Sequence, residues 1–185
     1  VPTEQDILYS HRRIRGATTH RVTTTSLTLH LVDPGFQYGE RRKWFHVMEN
    51  MTAVLFVADL FPHHLLDGEG SLTREDVITD QIRGFDSVVN SRLFGDTVVV
   101  LFLSNVSGFA RDLATKPLQE SFADYTGGDS WEEAGEWLLQ RFEAVAKGDR
   151  KVFSYLVDLE PWDPRNVETL GAAIREGLGE AAGAG

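Results

Sequence analysis

The chain has 185 residues, enough for one domain with a sizeable core. It carries 18 Lys and Arg against 28 Asp and Glu, a formal net charge of −10, and no cysteine. That balance argues against a nucleic-acid surface, and the lack of thiols excludes disulfides and Cys-based metal sites.

In chain order, the threonine-rich stretch from Thr18 to Ser26 suits a partnered or edge strand. Leu27, Leu29 and Leu31 then alternate with Thr28, His30 and Val32, the pattern of a half-buried strand. Ala53 to Ala58 and Thr97 to Leu103 are short unbroken apolar runs, which predict strands covered on both faces, as in a parallel sheet. Val152 to Val157 is a weaker case of the same kind. Helical spacing lies between and after these runs, at Ile78, Ile82, Phe85 and Val89, then at Trp131, Ala134, Leu138, Phe142 and Val145, and last at Val167, Leu170, Ile174 and Leu178. Ser130 is placed to cap its helix, with Glu132 and Glu133 in the favourable first turn. Strands alternating with helices predict an α/β three-layer domain spanning 1–185, with a Gly/Ala-rich tail over 177–185 that frays. No apolar run approaches the roughly 18 residues of a membrane span. The start, Val1-Pro2-Thr3-Glu4-Gln5, shows no signal-peptide or Met-Gly lipidation pattern and reads as the interior of something longer. The Asn-x-Ser/Thr triplets at Asn50 and Asn105 read as chance.

Several polar clusters carry little. Adjacent side chains such as His63 and His64 point apart on regular structure, so a loop role explains them better than a metal pair. Asp67-Gly68-Glu69-Gly70 lacks the alternating acids of a calcium loop and reads as a turn. No nucleophile elbow occurs, and Trp131 and Trp137 read as core residues.

The most informative segment is Asp33-Pro34-Gly35-Phe36-Gln37-Tyr38-Gly39-Glu40-Arg41-Arg42-Lys43-Trp44. An Asp closing a strand, then a Gly turn and an amphipathic segment, is how nucleotide switches hold a magnesium–phosphate group. The string resembles the switch II region of heterotrimeric G-protein alpha subunits, D-V-G-G-Q-R-S-E-R-K-K-W. The resemblance extends along the chain. Val1 to Leu8 is similar to the linker before switch I, and Ala53 to Leu60 to the family's next strand. Phe85-Asp86-Ser87 with Asn90 resembles F-D-S-I-C-N-N, and Tyr125-Thr126-Gly127 followed by Glu132-Glu133-Ala134 resembles Y-T-G-x-x-x-x-E-E-A. Asn166-Val167 opens the last helix as in the family.

What the resemblance implies is a Ras-like P-loop GTPase fold with a mostly parallel sheet, GTP/GDP and magnesium as cofactors, and signal transduction with a beta-gamma dimer and a receptor or effector as partners. It further implies a cytoplasmic location at the inner face of the plasma membrane. No G-x-x-x-x-G-K-S/T occurs in the sequence, so either the chain is a fragment or the phosphate loop was lost. The family's first strand, which feeds that loop mid-sheet between the strands matching Leu27–Val32 and Ala53–Ala58, is absent too. The two flanking strands must then pair directly or leave exposed edges, which predicts marginal stability or a variant strand order.

Carried over residue by residue, Gln37 would orient the attacking water, and His11 stands where the catalytic Arg belongs. A neutral His lacks arginine's fixed positive fork, although Arg12 or Arg13 in a shifted register would restore it. Asp33 would hold magnesium through water, but Ile14, at the family's magnesium-binding Thr, offers no oxygen. Asp33, Gly35, Phe36 and Gln37 form the phosphate side of the expected nucleotide site; Phe36 replaces a glycine whose close approach reports GTP, and Pro34 stiffens the turn. The guanine-reading N-K-x-D falls on Ser104, Asn105, Val106 and Ser107, so an uncharged Ser107 stands for the carboxylate. The T-C-A-T loop falls on Leu159-Glu160-Pro161-Trp162, where Pro161 has no N–H to give the base. The switch II helix, the family's main beta-gamma contact, keeps Arg42, Lys43, Trp44 and His46, residue types that include common interface anchors. The effector-facing Trp of N-K-W-F is Leu93, with Phe94 kept. The sequence thus points to an alpha-subunit-like protein, a pseudoGTPase with impaired nucleotide chemistry acting through switch II. Alternatives are an active GTPase whose phosphate loop lies upstream, and a nonfunctional truncated relative.

Overall fold

In the computed structural model, which describes residues 17–23, 28–34, 51–61, 73–95, 97–158, 171–172, 174–176 and 179, every strand expected from the sequence is present. The chain divides into two compact units, Val1–Asn50 and Met51–Gly185, each taken by itself below.

In the first unit, β1 (Thr18–Thr23) and β2 (Thr28–Asp33) pair antiparallel, with Thr18 opposite Asp33 and Thr23 opposite Thr28. Threonine and valine suit this pleated, partly wet surface. Leu29 is half-buried as its alternation predicts, whereas Leu31 on the same face is exposed, since a two-stranded ribbon covers little of either face.

In the second unit, β3 (Ala53–Asp59), β4 (Val98–Ser104) and β5 (Val152–Leu156) form a parallel sheet in the order β3-β4-β5. Parallel neighbours need long crossovers. Helix α1 (Arg74–Val89) lies between β3 and β4 in sequence, and α2 (Val106–Leu113) and α3 (Trp131–Glu143) lie between β4 and β5. The central strand is covered on both faces, as its unbroken apolar run predicts: Val99 through Leu103 are all buried. The same expectation fails for β3. Phe56 and Ala58 are buried, but Leu55 and Val57 are 39% and 53% exposed. Among the described strands β3 pairs with β4 alone, and α1 covers only the Phe56 face, where Phe56 meets Phe85 edge-on at 5.2 Å.

Burial of α1 and α3 on that face builds the core. Phe85 also meets Phe142 of α3 at 5.9 Å, and Gly135 lets α3 close on β5, since a Cβ there would lie 3.0 Å from a Leu156 methyl. On the opposite face Val100, Phe102 and Val157 are buried with Phe153 and Tyr155 against them. The Tyr155 hydroxyl donates to Glu176 at 2.8 Å, and 174–176 is helical, within the last helix that the sequence predicts.

Local signals set the helix ends. Thr73 and Asp76 form a reciprocal capping box at the start of α1. The hydroxyl and then the backbone N–H of Thr73 hold the Asp76 carboxyl below its ordinary range. Ser130 caps α3 as expected, accepting from the Glu133 N–H. Trp137 is half-buried and not the core residue expected: it meets Phe122 and Tyr125 edge-on at 5.3 and 5.2 Å, while the Arg141 guanidinium lies over its ring at 4.6 Å. Leu93 is half-buried and Phe94 buried, in the 3-10 turn Arg92–Phe94.

The family-like Phe-Asp-Ser stretch with Asn90 has a structural explanation. The Asn90 amide donates to Asp86 Oδ1 at 2.6 Å and to the Val145 carbonyl at 2.8 Å, and its oxygen accepts the Lys147 N–H at 3.0 Å. One side chain thereby ties the end of α1 to the segment after α3. Asn90→Ala should therefore cost about 1–3 kcal/mol of unfolding free energy, read by urea denaturation, because it strands a carbonyl and an N–H of another segment.

Candidate functional site at the carboxyl end of the sheet

In open parallel sheets, ligands sit beyond the carboxyl ends of the strands. Here those ends are Asp59, Ser104 and Leu156. The turn from β4 into α2 runs through Ser104, Asn105, Val106 and Ser107, the residues the sequence assigns to base recognition.

Most of the turn's polar groups are spent within the protein. The Ser104 hydroxyl, buried, donates to the Ala58 carbonyl at 3.2 Å, and the Ser104 carbonyl accepts the Leu60 N–H at 3.0 Å. Asn105 takes a left-handed conformation, φ 62° and ψ 41°, which asparagine tolerates better than most residues. Its amide donates to the Phe61 carbonyl at 2.6 Å and to Asp59 Oδ1 at 3.2 Å. The folded-back side chain leaves room only for glycine at 108, where a Cβ would lie 2.4 Å from Asn105 Oδ1 and 2.9 Å from the Phe61 ring. Asp59 Oδ1 also accepts the Phe61 N–H at 2.9 Å, and the Asp59 backbone exchanges two bonds with the Gln81 amide, at 2.7 and 2.9 Å. The loops after β3 and β4 are thus locked to each other and to α1.

Ser107 differs. Its N–H donates to Asp158 Oδ1 at 3.2 Å and its hydroxyl donates to Asp158 Oδ2. Asp158 comes from just beyond β5 and brings a carboxylate to the first turn of α2, where the helix dipole favours negative charge. Beside this pair opens a cavity of 290 Å³ lined by Val106, Ser107, Ala110, Trp131, Leu156 and Asp158. Trp131 therefore faces a cavity, which corrects its reading as a core residue: it stands at the very start of α3, at the sheet's open end, and not along the buried stripe.

Asp158 was not singled out from the sequence. The available signal was an acid placed just past the carboxyl end of a parallel strand, beside the base loop. Helix α2 also went unread, because it is 8 residues long and contains Ser107 and Gly108, poor helix formers.

Of the other expected site residues, Asp33 closes β2 and is exposed. His11, Ile14, Gly35, Phe36, Gln37, Arg42, Lys43, Trp44, His46 and Pro161 lie outside the described residues, as do His63 and His64. Among the described residues no three His, Cys, Asp or Glu side chains gather as a metal site, and no helix is long and apolar enough to cross a membrane. For a guanine nucleotide the fit is uneven. The Ser104 and Asn105 donors are engaged within the protein, Ser107 offers no carboxylate, and the one carboxylate at the cavity is that of Asp158, just beyond β5.

Comparison with known proteins bears on the whole chain. It is 34% identical over 176 residues to the guanine nucleotide-binding protein alpha-3 subunit of Neurospora crassa, covering 95% of this chain and 48% of that protein. It is 34% identical over 152 residues to the alpha-1 subunit of Mycosarcoma maydis, covering 82% and 42%. It is 32% identical over 178 residues to the alpha-2 subunit of Saccharomyces cerevisiae, covering 95% and 38%. The chain spans about half the length, or less, of these curated relatives. A sequence model of the G-protein alpha subunit family matches residues 1–178, a span that includes the switch-like segment, the α1 and α3 motifs and the β4–α2 turn. An α/β unit with a parallel sheet of the expected strands, matched across nearly its full length, belongs to the G-protein alpha subunit family.

Proposed function

We propose that this protein is an alpha-subunit-type signalling module with impaired nucleotide binding and hydrolysis, acting through protein contacts of the switch II segment. The observation that carries the reading is the β4–α2 turn. Ser107 stands where the family places its base-reading carboxylate, and both its N–H and its hydroxyl are given to Asp158. A site built to hydrogen-bond its ligand loses discrimination heavily when those partners change. The sequence adds His11 for the catalytic Arg, Ile14 for the magnesium-binding Thr, Phe36 for the flexible glycine and Pro161 for a donating backbone. Asp33 and Gln37 remain but are not a complete catalytic set.

Binding of a fluorescent GTP analogue with magnesium, measured on the full-length product, tests this. The expected result is binding weaker than micromolar. Micromolar or tighter binding, competed away by guanine but not adenine nucleotides, supports a second reading, an active GTP-hydrolysing subunit whose phosphate loop lies outside this chain. One observation favours that second reading: the relatives are roughly twice as long as the stretch they share with this chain.

For the protein contacts, Glu40-Arg41-Arg42-Lys43-Trp44-Phe45-His46 keeps the basic run, the Trp and the His. The partner proposed is a beta-gamma dimer. Trp44→Ala should weaken its capture by about 2 kcal/mol or more, roughly 30-fold, as for an aromatic interface anchor. Unchanged capture would remove Trp44 from that role.

A further inference from the structure

We propose that the cavity between α2, α3 and the end of β5 binds an organic ammonium ion on a short alkyl stem, recognised by the Asp158 carboxylate and the Trp131 ring. The ligand is neither a base nor a phosphate, so the site stands apart from nucleotide binding.

Charge supplies the first half of the recognition. Asp158 brings a carboxylate to the cavity wall, where the neutral Ser107 gives an N–H to Oδ1 and a hydroxyl to Oδ2. Among the described residues no Lys, Arg or His pairs with Asp158, so these hydrogen bonds orient its charge without cancelling it. Ser107 occupies the two-oxygen edge, which leaves no matched pair of acceptors for a forked donor such as a guanidinium. An ammonium is a compact point charge, and a single acceptor position on either oxygen suffices for it.

The indole supplies the second half. Trp131 lines the same cavity, and among the described residues no cation lies over its ring. Trp137, on the same helix, shows the completed arrangement. The Arg141 guanidinium lies 4.6 Å from the Trp137 ring centre and pairs with Asp124 at 2.6 Å, so one cation is held by an indole and a carboxylate together. Such a contact strengthens as water is excluded. Val106, Ala110 and Leu156 give the Trp131 cavity apolar sides for an alkyl stem. At 290 Å³ it is at the small end of ligand cavities, a size for a short amine and not for a large cofactor.

The test adds n-butylammonium, or its neutral analogue 1-butanol, to the full chain. The indole N–H resonance of Trp131, identified by its loss in Trp131→Leu, reports binding. The ammonium should bind about 10-fold or more tightly than the alcohol. Asp158→Asn, nearly isosteric but uncharged, should weaken ammonium binding by about 10- to 100-fold, the range for a hydrogen bond to a charged group. Asp158→Glu should restore the preference for the ammonium, a rescue by charge that a merely structural tie to Ser107 would not produce. Trp131→Leu, read by calorimetry, should weaken ammonium binding by about 3- to 30-fold. n-Butylguanidinium should bind less tightly than n-butylammonium. Nα-acetyl-lysine methylamide separates two sources of the same chemistry: binding equal to that of n-butylammonium assigns the site to a partner's lysine side chain, and binding of n-butylammonium alone assigns it to a free amine. Equal affinity for ammonium and alcohol in the unmutated protein, or an ammonium preference that survives Asp158→Asn, would overturn the assignment.

Discussion

Arg74→Ala is expected to lower the unfolding free energy by about 3–5 kcal/mol, the cost of breaking a buried ion pair from one side. Arg74 opens α1 yet is only 7% exposed. Its guanidinium pairs with Asp112 in the last turn of α2 and donates twice to the Lys116 carbonyl, at 3.1 Å each. Truncation strands a carboxylate and a carbonyl in a site that water reaches poorly. That is a large share of the roughly 5–15 kcal/mol that holds an ordinary domain together. Replacing both partners with apolar residues, Arg74→Met with Asp112→Leu, should recover most of the loss, because no unpaired charge remains. Urea denaturation of the three variants measures this. A single-mutant loss under about 1 kcal/mol would show that water relieves the stranded groups.

Phe85→Ala should cost about 3–5 kcal/mol for a different reason, a cavity at the centre of the core. Phe85 is fully buried and is the ring through which α1 reaches both its neighbours, Phe56 on β3 and Phe142 on α3. Removing it takes edge-to-face contact from two elements at once. Phe85→Leu keeps most of the volume and should cost about 1.5 kcal/mol or less. Thermal and urea unfolding of both variants separates volume from aromatic geometry: equal losses for Ala and Leu would mean that ring stacking, and not filled space, dominates.

Much of the fold is legible in the sequence because its signals are local. Unbroken apolar runs announce β3 and β4, a run interrupted by Ser154 announces β5 more weakly, and helical spacing announces α1 and α3. Ser130, read as a cap from the sequence, acts within one turn of helix, and so does the Thr73–Asp76 box that the structure adds. The order and spacing of the family-like motifs carry the family assignment without coordinates, and the match over residues 1–178 agrees.

The chain by itself determined which residues become strands and helices and which family pattern they follow, since periodicity and motif spacing are properties of neighbours in sequence. Tertiary structure decided that Ser107 answers to Asp158, 51 residues away, that Arg74 serves the carbonyl of Lys116, 42 residues away, that Trp131 faces a cavity, and that β3 leaves Leu55 and Val57 in water. Crossover connections bring distant segments to one sheet end, and pairings made there depend on strand order and helix docking, which no local pattern encodes.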